Sequence, residues 1–83
     1  MRSIDVYGKE NCRYCKDAVT LLDHYELPYV YRDVADEASR LEVFRRNPAT
    51  ATFPQIFIGE TLIGGCDDLV ATPLSRLQQM IGE

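Results

Sequence analysis

The sequence predicts an α/β domain in which a four-stranded mixed sheet is flanked by three helices, in the order βαβαββα. Two short runs rich in β-branched and aromatic residues, 3–7 and 29–34, enclose a helical pattern, which is typical of a parallel βαβ unit. A later run, 54–58, is joined to 61–63 by a two-residue turn, which predicts a hairpin. Helical patterns before and after the hairpin complete the order.

The first unit shows both periodicities clearly. Ile4 and Val6 alternate with Asp5, as in a strand that Gly8 ends. The following helix is expected over about 13–25, with its cap at Asn11 or Cys12. Its inward face is predicted to carry Ala18, Leu22 and Tyr25.

A second helix is expected from an N-cap at Asp36 to about Arg46, where Asn47-Pro48 ends it. The 3.6-residue period predicts Ala38, Leu41 and Phe44 on its inward face and Arg40, Glu42, Arg45 and Arg46 on its outward face.

The third strand begins at Pro54, because proline is tolerated at the first strand position. Gly59-Glu60 forms the hairpin turn, and Gly64-Gly65 then permits unusual backbone angles. One last helix is expected, capped by Cys66 or Asp67, with Val70, Leu74, Leu77 and Ile81 facing inward.

The chemistry of the chain is expected at Cys12 and Cys15, between the first strand and the first helix. Unpaired N–H groups in the first turn of a helix stabilise a thiolate, and the i, i+3 spacing lets the two sulfurs form a disulfide. Lys9, Arg13 and Lys16 add positive charge, which lowers a cysteine pKa from about 8.5 towards roughly 3.5–7.5. Cys12 is therefore predicted to be the nucleophile.

The cysteine pair has two interpretations other than a redox dithiol, a zinc site and a structural disulfide. Zinc requires four ligands, and the chain offers only Cys66 and His24 beyond the pair, so no metal is expected. A structural disulfide across so short a loop stabilises little and suits an oxidising compartment. His24 is interpreted as a surface residue at a helix end, and Cys66 as a small residue at a helix start, with a third redox thiol as its alternative.

Length and charge restrict the remaining possibilities. The 83 residues suffice for one domain, expected to span 1–83, which we expect to be monomeric. A formal net charge of −4 argues against nucleic acid as a partner, while the cations around the cysteines favour a small anionic substrate. No apolar run approaches the roughly 18 residues of a membrane span, and no signal peptide is recognised, so a cytoplasmic location is expected.

Three motifs in register resemble glutaredoxin over essentially the whole chain. They are Lys9-x-x-Cys12-x-Tyr14-Cys15, Thr52-Phe53-Pro54-x-Ile56-Phe57-Ile58 and Gly64-Gly65-Cys66-Asp67-Asp68-Leu69. The resemblance implies a thioredoxin-like fold, a cis peptide bond before Pro54 that faces the cysteines, and a binding site for glutathione.

The resemblance also assigns the glutathione contacts residue by residue. Lys9 would meet the glycyl carboxylate, Tyr14 and Thr52 would line the site, and the Phe53 backbone before Pro54 would pair with the cysteinyl unit. The γ-glutamyl end would lie at Gly65, Cys66 and Asp67, with Asp67 facing its ammonium.

The activity that the resemblance implies is glutathione-dependent reduction of protein disulfides and of glutathione mixed disulfides. Ribonucleotide reductase is one substrate of the family, and no tightly bound cofactor is expected.

Three positions depart from the family pattern. Arg13 replaces the usual proline, Ala49-Thr50 replaces a loop contact for which Arg45 is a candidate substitute, and Phe53 replaces valine. Arg13 leaves open an alternative function, a dimeric carrier of a glutathione-ligated [2Fe–2S] cluster.

Overall fold

The computed structural model describes all 83 residues and contains one four-stranded mixed sheet. The elements follow the chain as β1 (Ile4–Gly8), α1 (Arg13–His24), β2 (Val30–Asp33), α2 (Glu37–Arg46), β3 (Gln55–Ile58), β4 (Thr61–Gly64), α3 (Cys66–Ala71) and α4 (Leu74–Gly82). The strand order is β2-β1-β3-β4. β1 is parallel to β2 and antiparallel to β3, and β3 is antiparallel to β4, so the predicted βαβ unit and hairpin are confirmed.

The main core lies on the face of the sheet to which Ile4 and Val6 point. Helices α1, α3 and α4 pack there through buried apolar side chains, among them Ala18, Leu22, Leu69, Leu77, Met80 and Ile81. These side chains come from helices remote in sequence, so the sheet face fixes how α1 and α3 lie beside each other.

A smaller core on the opposite face explains how α2 packs. Tyr7 and Phe57 stack edge to face there, with ring centroids 5.8 Å apart, and Val43 is the buried residue of α2 that joins them. The prediction that Ala38, Leu41 and Phe44 face inward is wrong, since all three are exposed.

The polar residues of α2 explain this rotation. Arg46, expected to point outward, instead donates hydrogen bonds to Asp5 and to the Tyr7 hydroxyl, while Tyr7 donates to Glu42. Because Asp5 lies on this face of β1, α2 turns its charged residues inward to pair with it.

The predicted single last helix is also wrong, because Pro73 divides it. Thr72 has the extended angles φ −90° and ψ 119°, and Pro73 begins α4 at its N-cap. Proline disfavours helical angles in the residue before it and has no N–H to donate. Within α3, Leu69 lies in the core and Val70 is exposed, so the predicted inward position of Val70 is also wrong.

The chain therefore has four helices instead of three, around the sheet that was predicted. None of the helices combines the length and apolar character required to cross a membrane.

Candidate active site

The turn between β1 and α1 places Cys12 at the N-cap of α1, one of the two predicted cap positions. Asn11, with φ +55°, bends the chain into the helix, and asparagine tolerates this left-handed region well. The Cys15 N–H donates to Cys12 Sγ over 3.2 Å. A sulfur in this position accepts a hydrogen bond from an N–H group at the helix end that would otherwise lack a partner. This hydrogen bond favours the thiolate form of Cys12 once the disulfide is reduced.

Cys12 and Cys15 form a disulfide, with Cα atoms 5.3 Å apart. The two cysteines differ in exposure, since Cys12 retains 8% of its surface accessible and Cys15 retains 1%. An incoming sulfur therefore reaches Cys12 first, which supports its predicted role as nucleophile.

The predicted cations surround this turn at the surface. Lys9, Arg13 and Lys16 are all exposed, and Arg13 makes an exposed ion pair with Asp17, with Nε 3.8 Å from Oδ2. Exposed ion pairs of this kind are weak, so these residues chiefly contribute local positive potential at the start of α1.

The loop before β3 forms one wall of the site. The Phe53–Pro54 peptide bond is cis, as the resemblance implied, and the Phe53 carbonyl oxygen lies 3.8 Å from Cys12 Sγ. Gln55, the buried polar residue that follows, donates from Nε2 to the Thr52 carbonyl over 2.8 Å and accepts from Asn47 Nδ2 over 3.1 Å.

This glutamine was missed in the sequence analysis, although a polar residue at the start of an otherwise apolar strand was the available signal. Its two hydrogen bonds tie the cis-proline loop to the end of α2, so Gln55 is a positioning residue for Thr52 and Phe53.

The start of α3 forms the opposite wall. Gly64 adopts φ +121°, which glycine accepts without strain, and Gly65 is the N-cap of α3. The Gly65 N–H donates to Asp68 Oδ2 over 2.9 Å. The predicted cap at Cys66 or Asp67 is therefore wrong, because the carboxylate that reaches back comes from the third residue of the helix, as in a capping box.

A groove of about 320 Å³ lies between these walls. It is lined by Tyr14, Thr52, Phe53, Pro54, Gly65, Cys66, Asp67 and Asp68. All the residues that the resemblance predicts as glutathione contacts line this groove, with the exception of Lys9. Asp68 lines the groove as well, although it was not predicted as a contact. Lys9 lies in the turn before Cys12, where its carbonyl oxygen accepts a hydrogen bond from the Tyr31 hydroxyl over 3.5 Å.

Cys66 is a free, buried cysteine at the edge of the groove. Burial raises the pKa of the Cys66 thiol, and the negative charges of Asp17 and Asp67 raise it further. A thiol with a raised pKa forms less thiolate and is a poorer nucleophile, which supports the interpretation of Cys66 as a small packing residue.

The other candidates lie outside the groove. His24 is exposed at the end of α1, as predicted. Arg45, the candidate substitute for the loop contact, lines a separate groove with Asp5, Glu42 and Phe57. No group of three or more His, Cys, Asp or Glu side chains is arranged to hold a metal ion.

Comparison with known proteins gives a consistent result. The family model described as Glutaredoxin matches residues 4–63. Glutaredoxin 3 of Escherichia coli K12 is 37% identical over 71 residues, which cover 86% of each protein. The solution structure of glutaredoxin from Brucella melitensis has a TM-score of 0.75 at 35% identity and covers 100% of this chain and 94% of that one.

A crystal structure of a buckwheat glutaredoxin–glutathione complex has a TM-score of 0.77 at 24% identity, covering 98% of this chain and 77% of that one, which shows the shared fold alone. Together these structures confirm the predicted thioredoxin-like fold.

Proposed function

Since the chain belongs to the glutaredoxin family of thiol–disulfide oxidoreductases, we propose that it uses glutathione to reduce glutathione mixed disulfides and protein disulfides through Cys12 and Cys15. The observation that carries the proposal is the position of Cys12 Sγ, at a helix N-cap and 3.8 Å from the Phe53 carbonyl oxygen. A cysteinyl unit paired with the Phe53 backbone would bring its own sulfur next to Cys12.

The charges around the groove support glutathione as the ligand. Glutathione carries two carboxylates and one ammonium, so its two ends require opposite partners. Asp67 is exposed on the groove wall and its carboxylate makes no hydrogen bond within the protein, which leaves it free for the γ-glutamyl ammonium. Lys9 is exposed in the cysteine turn, where it would attract the glycyl carboxylate. The buckwheat complex shows that a domain of this fold can bind this tripeptide.

The first reaction is a thiol–disulfide exchange that transfers glutathione to the enzyme. The Cys12 thiolate attacks the glutathionyl sulfur of the substrate, a Cys12–glutathione disulfide forms, and the substrate sulfur leaves as a thiolate that takes a proton from water. A second glutathione thiolate then attacks the bound glutathione, which releases glutathione disulfide and restores the Cys12 thiolate. The net reaction consumes one mixed disulfide and one glutathione and yields one thiol and one glutathione disulfide.

Protein disulfides require the second cysteine. Attack by Cys12 on such a disulfide leaves the substrate bound through a mixed disulfide, and the Cys15 thiolate then attacks Cys12 Sγ and releases the substrate as a dithiol. The product is the Cys12–Cys15 disulfide that the structure contains. Two glutathione molecules return it to the dithiol, and a separate NADPH-dependent reductase would regenerate them. A reducing cytoplasm is the compartment that fits this cycle.

A pair of variants tests the proposal. Cys12→Ser should abolish turnover of a glutathione mixed disulfide, because no nucleophile remains, whereas Cys15→Ser should retain much of it and lose protein-disulfide reduction. Leu41→Ser, at an exposed position of α2 outside the groove, is the control and should keep both activities. Equal turnover by Cys12→Ser and wild type would contradict the proposal.

The [2Fe–2S] carrier remains the alternative that Arg13 leaves open. Such a cluster needs four ligands, and in this alternative each chain would contribute the thiolate of Cys12 at the start of α1, so two chains and two glutathione thiolates would be required. We expect anaerobically purified protein to lack the visible absorption of a cluster while it turns over mixed disulfide. A stable visible band together with negligible turnover would favour the carrier.

A further inference from the structure

A second groove, between α1 and α3, continues from the proposed glutathione groove. Its volume is about 510 Å³, and Tyr14, Cys66 and Asp67 line both grooves. Leu21 and Val70 supply apolar surface on its two sides. We call it the α1/α3 groove.

The apolar surface of the α1/α3 groove has no partner within the chain. Val70 is 63% exposed and Tyr14 is 60% exposed, and both line this groove. Val70 is exposed because α3 turns the preceding residue, Leu69, into the core. An apolar side chain is therefore left at the surface of this groove.

Carboxylates give the same groove a negative charge. Asp17 and Asp67 line it, and both raise the pKa of the Cys66 thiol beneath it, in addition to the effect of burial. Asp17 forms an ion pair with Arg13, with 3.8 Å between Asp17 Oδ2 and Arg13 Nε. Because the Arg13 side chain is 88% exposed, water screens this ion pair strongly. His24 lies at the far end of the groove and is exposed.

We propose that the α1/α3 groove binds a segment of the protein substrate in which an apolar side chain neighbours a lysine or arginine, on the amino-terminal side of the reactive cysteine. The proposal rests on the function proposed above. Bound glutathione would end with its γ-glutamyl unit at Asp67, so a longer chain bound in the same direction must continue past Asp67 into this groove. Its apolar side chain would cover Leu21 and Val70, and its cation would face Asp17 and Asp67.

The proposal separates two kinds of substrate. A glutathione mixed disulfide with a small thiol is too short to reach Val70 or Asp17, whereas a peptide disulfide extends over both. Changes at these two residues should therefore alter protein-disulfide reduction and leave small mixed disulfides unaffected.

The test uses two disulfide-bonded peptides that differ only in having Lys or Glu before an apolar residue that precedes the cysteine. The reference substrate is the mixed disulfide of glutathione and 2-mercaptoethanol. Val70→Ser should lower kcat/KM for the Lys peptide about five- to tenfold, through loss of apolar burial. Wild type should prefer the Lys peptide about three- to tenfold at low salt, and Asp17→Asn should reduce that preference.

Matched controls come from the opposite face of the sheet. Leu41→Ser removes an apolar side chain that is 61% exposed on α2, and Glu60→Gln removes an exposed carboxylate. Neither variant should change kcat/KM for any of the three substrates. The inference is overturned if Val70→Ser has the same kcat/KM for the Lys peptide as Leu41→Ser, or if it lowers kcat/KM equally for the peptide and the reference substrate. It is also overturned if wild type has the same kcat/KM for the Lys and Glu peptides. Failure of wild type to turn over the reference substrate would instead overturn the proposed function itself.

Discussion

Arg46 is the residue whose removal we expect to reduce the stability of the domain most clearly without affecting the reaction. Its guanidinium donates to Asp5 Oδ2 over 3.1 Å, to the Tyr7 hydroxyl over 3.0 Å and to the Gly59 carbonyl over 2.6 Å. It also lies over the ring of Phe57, with Cζ 3.9 Å from the centroid. One side chain therefore joins α2 to β1 and to the β3–β4 turn.

The magnitude follows from these contacts. Breaking a buried ion pair by removing one partner costs about 3–5 kcal/mol. Two features reduce this value for Arg46→Met, since the Arg46 side chain is 20% exposed and Arg32 still donates to Asp5 over 3.3 Å. We therefore expect a loss of about 2 kcal/mol in the free energy of unfolding, and a fall in Tm of roughly 8–16 °C for a domain of this size.

Urea denaturation of Arg46→Met and of Arg45→Met measures this loss. Arg45 is the matched control, because it is the neighbouring arginine on the same helix and is exposed, so its replacement should change stability by about 0.5 kcal/mol or less. Turnover of a mixed disulfide at a temperature well below Tm should stay within about twofold for both variants, since neither arginine lines the groove beside the cysteines. Equal stability of the two variants would refute the assigned role of Arg46.

Two further predictions concern the other carboxylates that the structure assigns. Asp68→Ala should destabilise the domain by about 1 kcal/mol, because the Gly65 N–H loses its acceptor. Asp67→Ala should leave stability unchanged and raise KM for glutathione. Thermal unfolding in which Asp67→Ala is the less stable variant would contradict this assignment. The hydrogen bond from Tyr7 lowers the pKa of Glu42, and neighbouring arginines lower it further. The ionised Glu42 carboxylate therefore stabilises the folded domain at pH values above the ordinary glutamate pKa of about 4.3. This stabilisation is lost as the pH falls through the lowered pKa. Glu42→Gln should therefore be less stable than wild type at neutral pH, and the difference should shrink in acid; a constant difference would exclude the ionised carboxylate as its cause.

Local patterns predicted the reactive centre well, because the interactions that form it span only a few residues. The caps at Cys12 and Asp36 depend on a side chain that accepts from a backbone N–H three residues later, and the Gly59-Glu60 turn joins two strands that are adjacent in the chain. The structure confirms each of them. The alternation of Ile4 and Val6 likewise identified the sheet face that carries the main core.

Predictions that depended on partners distant in sequence were less reliable. The apolar period of α2 favoured Leu41 and Phe44 as core residues, but Asp5, Tyr7 and Phe57 on the facing strands select Val43 and Arg46 instead. Periodicity describes only the helix itself, and it cannot include the charge of the surface against which that helix packs.

The sequence by itself determined the order of strands and helices as far as the hairpin, the reactive dithiol and its cationic surroundings. Only the tertiary structure decided that three remote segments close one groove, that Asp68 and not Asp67 caps α3, and that Gln55 holds the cis-proline loop. It also decided that Val70 lies at the surface beside the site. The physical reason is the same in each case: short-range hydrogen bonding and side-chain period form the elements, whereas which side chains are buried, paired or left free depends on the surface that another element presents.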